Sequence, residues 1–169
     1  PGKPTLLLVH GMVVSSGLNW FRLFPALSKH FNIIAPDVRG HGRSSRGRER
    51  FTFEQAADDM AARIEEVGCG SVIAVGYSMG GGATCTAGYY EPRLFAAIAP
   101  IAGTNVEPTT AEAARFSNTE LPIYLSTSSY EVRRLQAAEG RINDNLANQV
   151  RRWSGWRGVA PFNFDFDAF

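Results

Sequence analysis

Apolar and polar positions along this chain fall into two alternating rhythms. Thr5 to Val9, Asn32 to Ala35, Ser71 to Val75 and Phe95 to Ile101 are short apolar runs bounded by glycine, proline and polar residues, the pattern of buried strands. Between them lie stretches with helical spacing. The clearest runs from about Phe53 to Val67, where Ala56, Met60, Ile64 and Val67 recur on one face and Thr52 with Gln55 fits a capping box. A short helix is expected around Pro25 to Lys29, and another follows the segment Gly76 to Gly82 and runs to about Tyr90. Strands alternating with helices predict a mostly parallel sheet covered on both faces, a three-layer α/β/α sandwich.

Beyond Gly103 the rhythm loosens. Thr104 to Glu120 is polar without a sustained period, Leu121 to Ser126 fits a fifth strand, and Leu135, Ala138, Ile142, Leu146, Val150 and Trp153 form a helical stripe interrupted by Gly140. Phe162, Phe164 and Phe166 alternate with Asn163, Asp165 and Asp167, the period of a half-buried strand. The expected organisation is one domain over residues 1–169, with 104–169 open between remaining core strands and a cap.

Composition narrows the classes without choosing among them. A chain of 169 residues with 44% hydrophobic content can bury a core. A net charge of +1 provides no global field toward nucleic acid or anionic membrane. Arg39, Arg43, Arg46, Arg48 and Arg50 crowd one segment; without interleaved aromatic residues, solvated loop arginines are the commoner explanation, with phosphate or an acidic partner as the rival. Cys69 and Cys85 have neither metal-ligand spacing nor a disulfide framework, which favours a reducing, cytoplasmic setting. No apolar run reaches the roughly 18 residues of a membrane span. No metal or cofactor is expected, and oligomeric state is not written in the sequence.

The chemistry gathers at Gly76-Tyr77-Ser78-Met79-Gly80, placed between an apolar strand and a helix. A serine hydroxyl is a weak nucleophile, and a sharp strand-to-helix turn presents its Oγ above the sheet edge. Gly76 and Gly80 supply room where side chains would collide across the bend. The backbone N–H of Met79 is one candidate donor to a developing oxyanion. A second is the N–H of Met12, after Leu8-Val9-His10-Gly11, where the first strand ends at a His-Gly pair. The His10 ring itself is expected only to pack and to hydrogen-bond nearby backbone.

Together with Asp37-Val38-Arg39-Gly40-His41-Gly42-Arg43-Ser44, these motifs resemble the α/β-hydrolase superfamily, in its branch of serine esterases, lactonases and haloperoxidase-like hydrolases. The resemblance covers residues 1–103 well and the remainder poorly. It implies a sheet whose first two strands are absent, a structural role for Asp37, and hydrolysis of a carboxylic ester or similar acyl bond through an acyl-enzyme on Ser78. Members with aspartate at the nucleophile position are dehalogenases or epoxide hydrolases, and Ser78 argues against both. The implied substrate is a small apolar acyl compound, since no charged cluster converges on the turn.

The triad logic then meets a gap. The family order is Ser, Asp or Glu, His, yet His10, His30 and His41 all precede Ser78. His30 fits a helix end. For the acid, Glu131 follows the fifth strand-like run and Glu107 the fourth, each also readable as an ordinary surface residue; Asp165 and Asp167 are weaker candidates. Two explanations stand: a chain incomplete at both ends whose base lies beyond Phe169, or a non-catalytic ligand-binding protein that kept the turn and lost the base.

Overall fold

The computed structural model describes residues 2–47, 49–103 and 121–124. Four strands, β1 (Thr5–Val9), β2 (Asn32–Ile34), β3 (Val72–Tyr77) and β4 (Phe95–Ile101), form one sheet in the order β2-β1-β3-β4. Every pairing is parallel, with Leu7 opposite Ile34 and Ala74, and Ala74 opposite Ile98. Helices α1 (Ser16–Trp20), α2 (Phe24–Leu27), α3 (Phe53–Val67) and α4 (Met79–Tyr90) connect them.

Because successive side chains of a strand point to opposite faces, one strand feeds two cores. Leu7, Val9, Val72, Ala74 and Ile98 join Met60 and Ile64 of α3 and Ala83 and Ala87 of α4. Leu6 and Leu8 face the other way, against Trp20 of α1 and, more loosely, Phe24 and Leu27 of α2. The expected three layers are therefore present, with helices on both faces of a parallel sheet. Truncating a fully buried member such as Leu7 to alanine costs about 2–5 kcal/mol in such a setting.

The apolar pattern places β1, α3 and β4 at the bounds it predicts, and the differences have local causes. Helix α1 has no apolar period of its own; it forms because Ser15 caps it, its side chain accepting from the Leu18 N–H. At α3 only half of the capping box is made: Thr52 Oγ1 accepts from the Gln55 N–H, while the Gln55 side chain donates to Glu49 instead. Val67, expected on the buried face, is 52% exposed, and Ala57 takes the core position. Strand β3 begins one residue later than expected and runs on through Gly76 to Tyr77. Of the expected fifth strand, Ile123 makes a parallel bridge to Ile98, flanked by bonds from Ile98 N–H to Pro122 O and from Tyr124 N–H to Ile98 O. Ser126 lies outside the described residues, as do the helical stripe and the phenylalanine alternation near the end of the chain. Among the described residues no helix is long and apolar enough to cross a membrane.

Candidate active site

The strand order fixes where a ligand site belongs. From β1 the chain moves outward to β2, then returns to the other side of β1 for β3, so the connections leaving the carboxyl ends of β1 and β3 diverge and open a crevice between them. Ser78 directly follows β3, and His10-Gly11-Met12 directly follows β1. The register sets Val9 beside Gly76, which brings the two segments together: a Cβ built on Gly11 would lie 3.5 Å from Ser78 Cβ and 3.1 Å from Tyr77 Cδ1.

At Ser78 the backbone turns within one residue, with φ 53° and ψ −116°, a conformation that favours glycine and costs a residue with a side chain about 1–3 kcal/mol. Two main-chain bonds hold it there. The Ser78 N–H donates to Ile101 O at 2.8 Å, extending the β3–β4 ladder one residue past the strand, and Ser78 O accepts from the Gly82 N–H at 3.1 Å. Around the turn the packing is backbone against backbone. A Cβ on Gly76 would stand 2.1 Å from Gly80 O, one on Gly80 would stand 2.2 Å from Val9 O, and one on Gly81 would stand 2.6 Å from Gly103 Cα. Thus α4 starts hard against the sheet, and every residue from Met79 to Tyr89 is buried. Ser78 itself is half-buried, next to an exposed Tyr77.

Among the described residues, the N–H groups of Met12 and Met79 donate to no acceptor, and Ser78 Oγ makes no hydrogen bond. The Met79 N–H opens a twelve-residue helix, where unpaired amides and the helix dipole both favour negative charge. The Met12 side chain is 62% exposed and that of Met79 is buried, so only main-chain groups are common to the two positions.

The three histidines are differently employed. His10 is completely buried; its Nε2 accepts from the Val38 N–H at 2.8 Å, so Nδ1 carries the proton and donates to Gly11 O at 2.7 Å. Burial holds its pKa below the ordinary histidine value, opposed by the bond to Gly11. His41 contacts the His10 ring edge-on at 5.4 Å, and its Nδ1 lies 3.1 Å from Arg39 O. His30 is exposed just past the end of α2 and precedes the amino end of β2, whereas Ser78 follows the carboxyl end of β3 in the parallel sheet.

Asp37 ties loops together. Its carboxylate accepts from the backbone N–H groups of Ser16 and Arg43, each at 2.8 Å, and the bond from Arg43, ahead of that from Ser16, holds its pKa below the usual carboxylate range. Gly42, at φ 53°, leaves no room for a side chain beside it: a Cβ there would lie 2.2 Å from Asp37 Oδ2. Of the crowded arginines, Arg39 makes a two-pronged pair with Asp59 at 2.6 and 2.7 Å, while Arg46 and Arg50 are exposed; Arg48 lies outside the described residues. Glu107, Glu131, Asp165 and Asp167 also lie outside them. One further side chain joins the site, with a contact that the sequence pattern does not predict. Asn19, in α1, accepts from the Gly11 N–H through Oδ1 at 3.0 Å; the visible signal was a Ser15 cap four residues before it, just after the His-Gly pair.

The sequence matches the alpha/beta hydrolase fold family over residues 4–137. This chain belongs to that family. Epoxide hydrolase A of Mycobacterium tuberculosis is 27% identical to it over 170 aligned positions, covering 95% of this chain and 50% of that protein. The bifunctional esterase/perhydrolase DCH of Acinetobacter calcoaceticus is 35% identical over 91 residues, 53% of this chain and 32% of that protein. A solved thermophilic esterase from Thermogutta terrifontis, with malate bound, superposes with a TM-score of 0.58 at 29% identity, covering 69% of this chain and 42% of that one. The chain spans half or less of the length of these relatives, which are hydrolases.

Proposed function

We propose that this chain carries the nucleophile of a serine hydrolase that cleaves carboxylic esters of small apolar acids. The observation that supports it most is the strained turn at Ser78, whose side chain stands at the sheet's crevice beside two main-chain segments with unpaired amides. Ser78 Oγ would attack the acyl carbon while its proton passes to a base, and the carbonyl oxygen would gather negative charge opposite the Met12 and Met79 N–H groups. Collapse of that intermediate expels the alcohol, which leaves with the proton. Water then attacks the acyl-enzyme, releasing the acid and restoring the hydroxyl. Epoxide opening through a covalent ester needs a carboxylate nucleophile, so serine at this position favours acyl transfer. We assign none of the three histidines as that base: both His10 nitrogens are engaged, the His41 Nδ1 lies against Arg39 O, His30 precedes β2 at the amino ends of the strands, and residues 104–169 contain no histidine. Glu131 and Glu107 remain the candidates for its orienting acid.

A fluorophosphonate applied to the whole polypeptide that carries this chain is expected to modify Ser78, as read by peptide mass spectrometry, with Ser78→Ala abolishing the label. A folded protein left unmodified at Ser78 refutes the assignment. The position of every histidine ahead of Ser78 favours one rival, a ligand-binding protein on the same fold. It requires saturable binding of an apolar carbonyl compound with no turnover by the whole polypeptide.

A further inference from the structure

Both backbone polar atoms of Gly11 are held by side chains. Its N–H donates to Asn19 Oδ1 at 3.0 Å and its carbonyl accepts from His10 Nδ1–H at 2.7 Å. In a trans peptide the carbonyl of one residue and the N–H of the next point in opposite directions. Holding Gly11 O toward His10 therefore aims the Met12 N–H away from the His10 ring. The Asn19 bond fixes the preceding peptide, so the plane carrying the Met12 N–H is held at its carbonyl and through the peptide before it. The Asn19 amide orientation is set by its partner, since a backbone N–H can only donate and Oδ1 must accept.

Asn19 is itself anchored. Its N–H donates to Ser15 O at 2.9 Å within α1. The start of α1 is tied to the exit of β2, where Ser16 N–H donates to Asp37 Oδ1 at 2.8 Å and Ser16 Oγ donates to Pro36 O at 2.5 Å. Asn19 is half-buried and belongs to neither hydrophobic cluster. The loop it holds is strained, with φ 57° at Val13, a conformation that a β-branched residue adopts only under constraint.

We propose that Asn19 is a positioning residue for acyl transfer, holding the Gly11 backbone so that the Met12 N–H meets the oxygen that becomes negative when Ser78 attacks. The inference rests on Ser78 being the nucleophile. Donors of this kind work because they are aimed before the charge appears: removing one costs about 10²- to 10³-fold in turnover, and a misplaced one costs less.

The test uses the whole polypeptide carrying this chain, p-nitrophenyl butyrate as substrate and an alkyl trifluoromethyl ketone as a probe that forms an oxyanion on the enzyme. Asn19→Leu, similar in size but without an acceptor, is expected to lower kcat roughly 10- to 100-fold with KM nearly unchanged, and to weaken the ketone in parallel. Asn19→Asp, which keeps an acceptor in place, is expected to recover most of the loss. Asn19→Ala gives the same reading should leucine prevent folding. A wild-type kcat in the leucine or alanine variant overturns the proposal, as does an aspartate variant that loses as much as leucine. An unlabelled Ser78 in the wild-type protein is a separate failure, since it removes the nucleophile and not its positioning residue.

Discussion

Two turns leave the carboxyl ends of the central strands, and they are held by opposite means. The turn after β3 is fixed by the absence of side chains: Gly76, Gly80 and Gly81 let backbone meet backbone, and main-chain bonds from Ser78 to Ile101 and from Gly82 to Ser78 complete it. The turn after β1 is fixed by side chains, with His10, Asn19 and, through Ser16, Asp37 each holding backbone groups. A turn of the first kind tolerates almost no substitution, whereas one of the second kind can be loosened by degrees. The largest effect should come from adding a methyl group to the first. Gly80→Ala drives a Cβ to 2.2 Å from Val9 O, at the end of β1, and 2.6 Å from His10 O, in the turn that follows it. Overpacking of this sort commonly costs 1–3 kcal/mol, and with backbone on both sides about 3 kcal/mol or more is expected. Chemical denaturation would show it; a variant of wild-type stability would mean that the close packing is not what holds the turn.

The second expected effect has the opposite sign. Ser78→Gly places at φ 53°, ψ −116° the residue best suited to it. Relief of about 1–3 kcal/mol of strain, less roughly 0.5–1 kcal/mol for the freer unfolded chain, leaves a gain of up to about 2.5 kcal/mol. The gain should appear as a higher thermal midpoint in the protein that no longer takes up fluorophosphonate. A site that gains stability when its serine is removed is one whose strain serves something other than folding.

This contrast also explains how much could be read from the sequence. The turn after β3 was legible because glycine is its own signal: Gly76 and Gly80 around Ser78, after an apolar strand, leave few other conformations. The layers were legible too, since an unbroken apolar run such as Leu6 to Val9 marks a strand buried on both faces and the α3 stripe marks the side of the helix that packs on it. The means of holding the turn after β1 were not. Asn19 and Gly11 are eight positions apart and meet only because α1 folds back after a Ser15 cap, and His10 meets Val38 across 28 positions of sequence. Hydrogen bonds between side chain and backbone carry no period, so nothing along the chain announces them. Val67 shows the same limit on a helix, where its spacing fits the stripe but, as the last residue of α3, it is left exposed.

Acid should separate the two turns, because the two described groups held below their usual values, His10 and Asp37, both help to hold the turn after β1, Asp37 through Ser16. His10 is kept neutral by burial, so the unfolded chain takes up a proton more readily than the folded one. Its contribution is whole above the ordinary value of 6.5 and is lost as pH falls through the lowered folded value. Asp37 acts the same way lower down: its stabilisation is present above 3.8 and disappears as pH falls through its depressed folded value. Each full unit of such a shift is worth about 1.4 kcal/mol. The thermal midpoint should therefore decline on going from about pH 7 to pH 5, and His10→Asn should flatten that decline while lowering the midpoint throughout. An unchanged slope in the variant would assign the acid sensitivity to other groups.

The smallest expected effect tests whether the arginine-rich segment after β2 belongs with the side-chain-held turn. Arg39 and Asp59 form a two-pronged pair, with bonds of 2.6 and 2.7 Å, that fastens this segment to α3. The bond to Asp59 raises the Arg39 pKa further, so the pair stays charged at every pH at which the carboxylate is ionised. Geometry of this quality would matter in a buried site. Here the side chains are 32% and 49% exposed, and water screens what they gain; pairs of this kind contribute about 0–1 kcal/mol. Arg39→Ala and Asp59→Ala should each destabilise by no more than about that, with a coupling in the double variant that shrinks as salt is added. A coupling above about 2 kcal/mol, or one indifferent to salt, would mean that the pair is shielded from solvent and that the segment is clamped as firmly as Gly11. A coupling near zero would leave Asp37, with its two backbone donors, as the tie that positions this segment against α1.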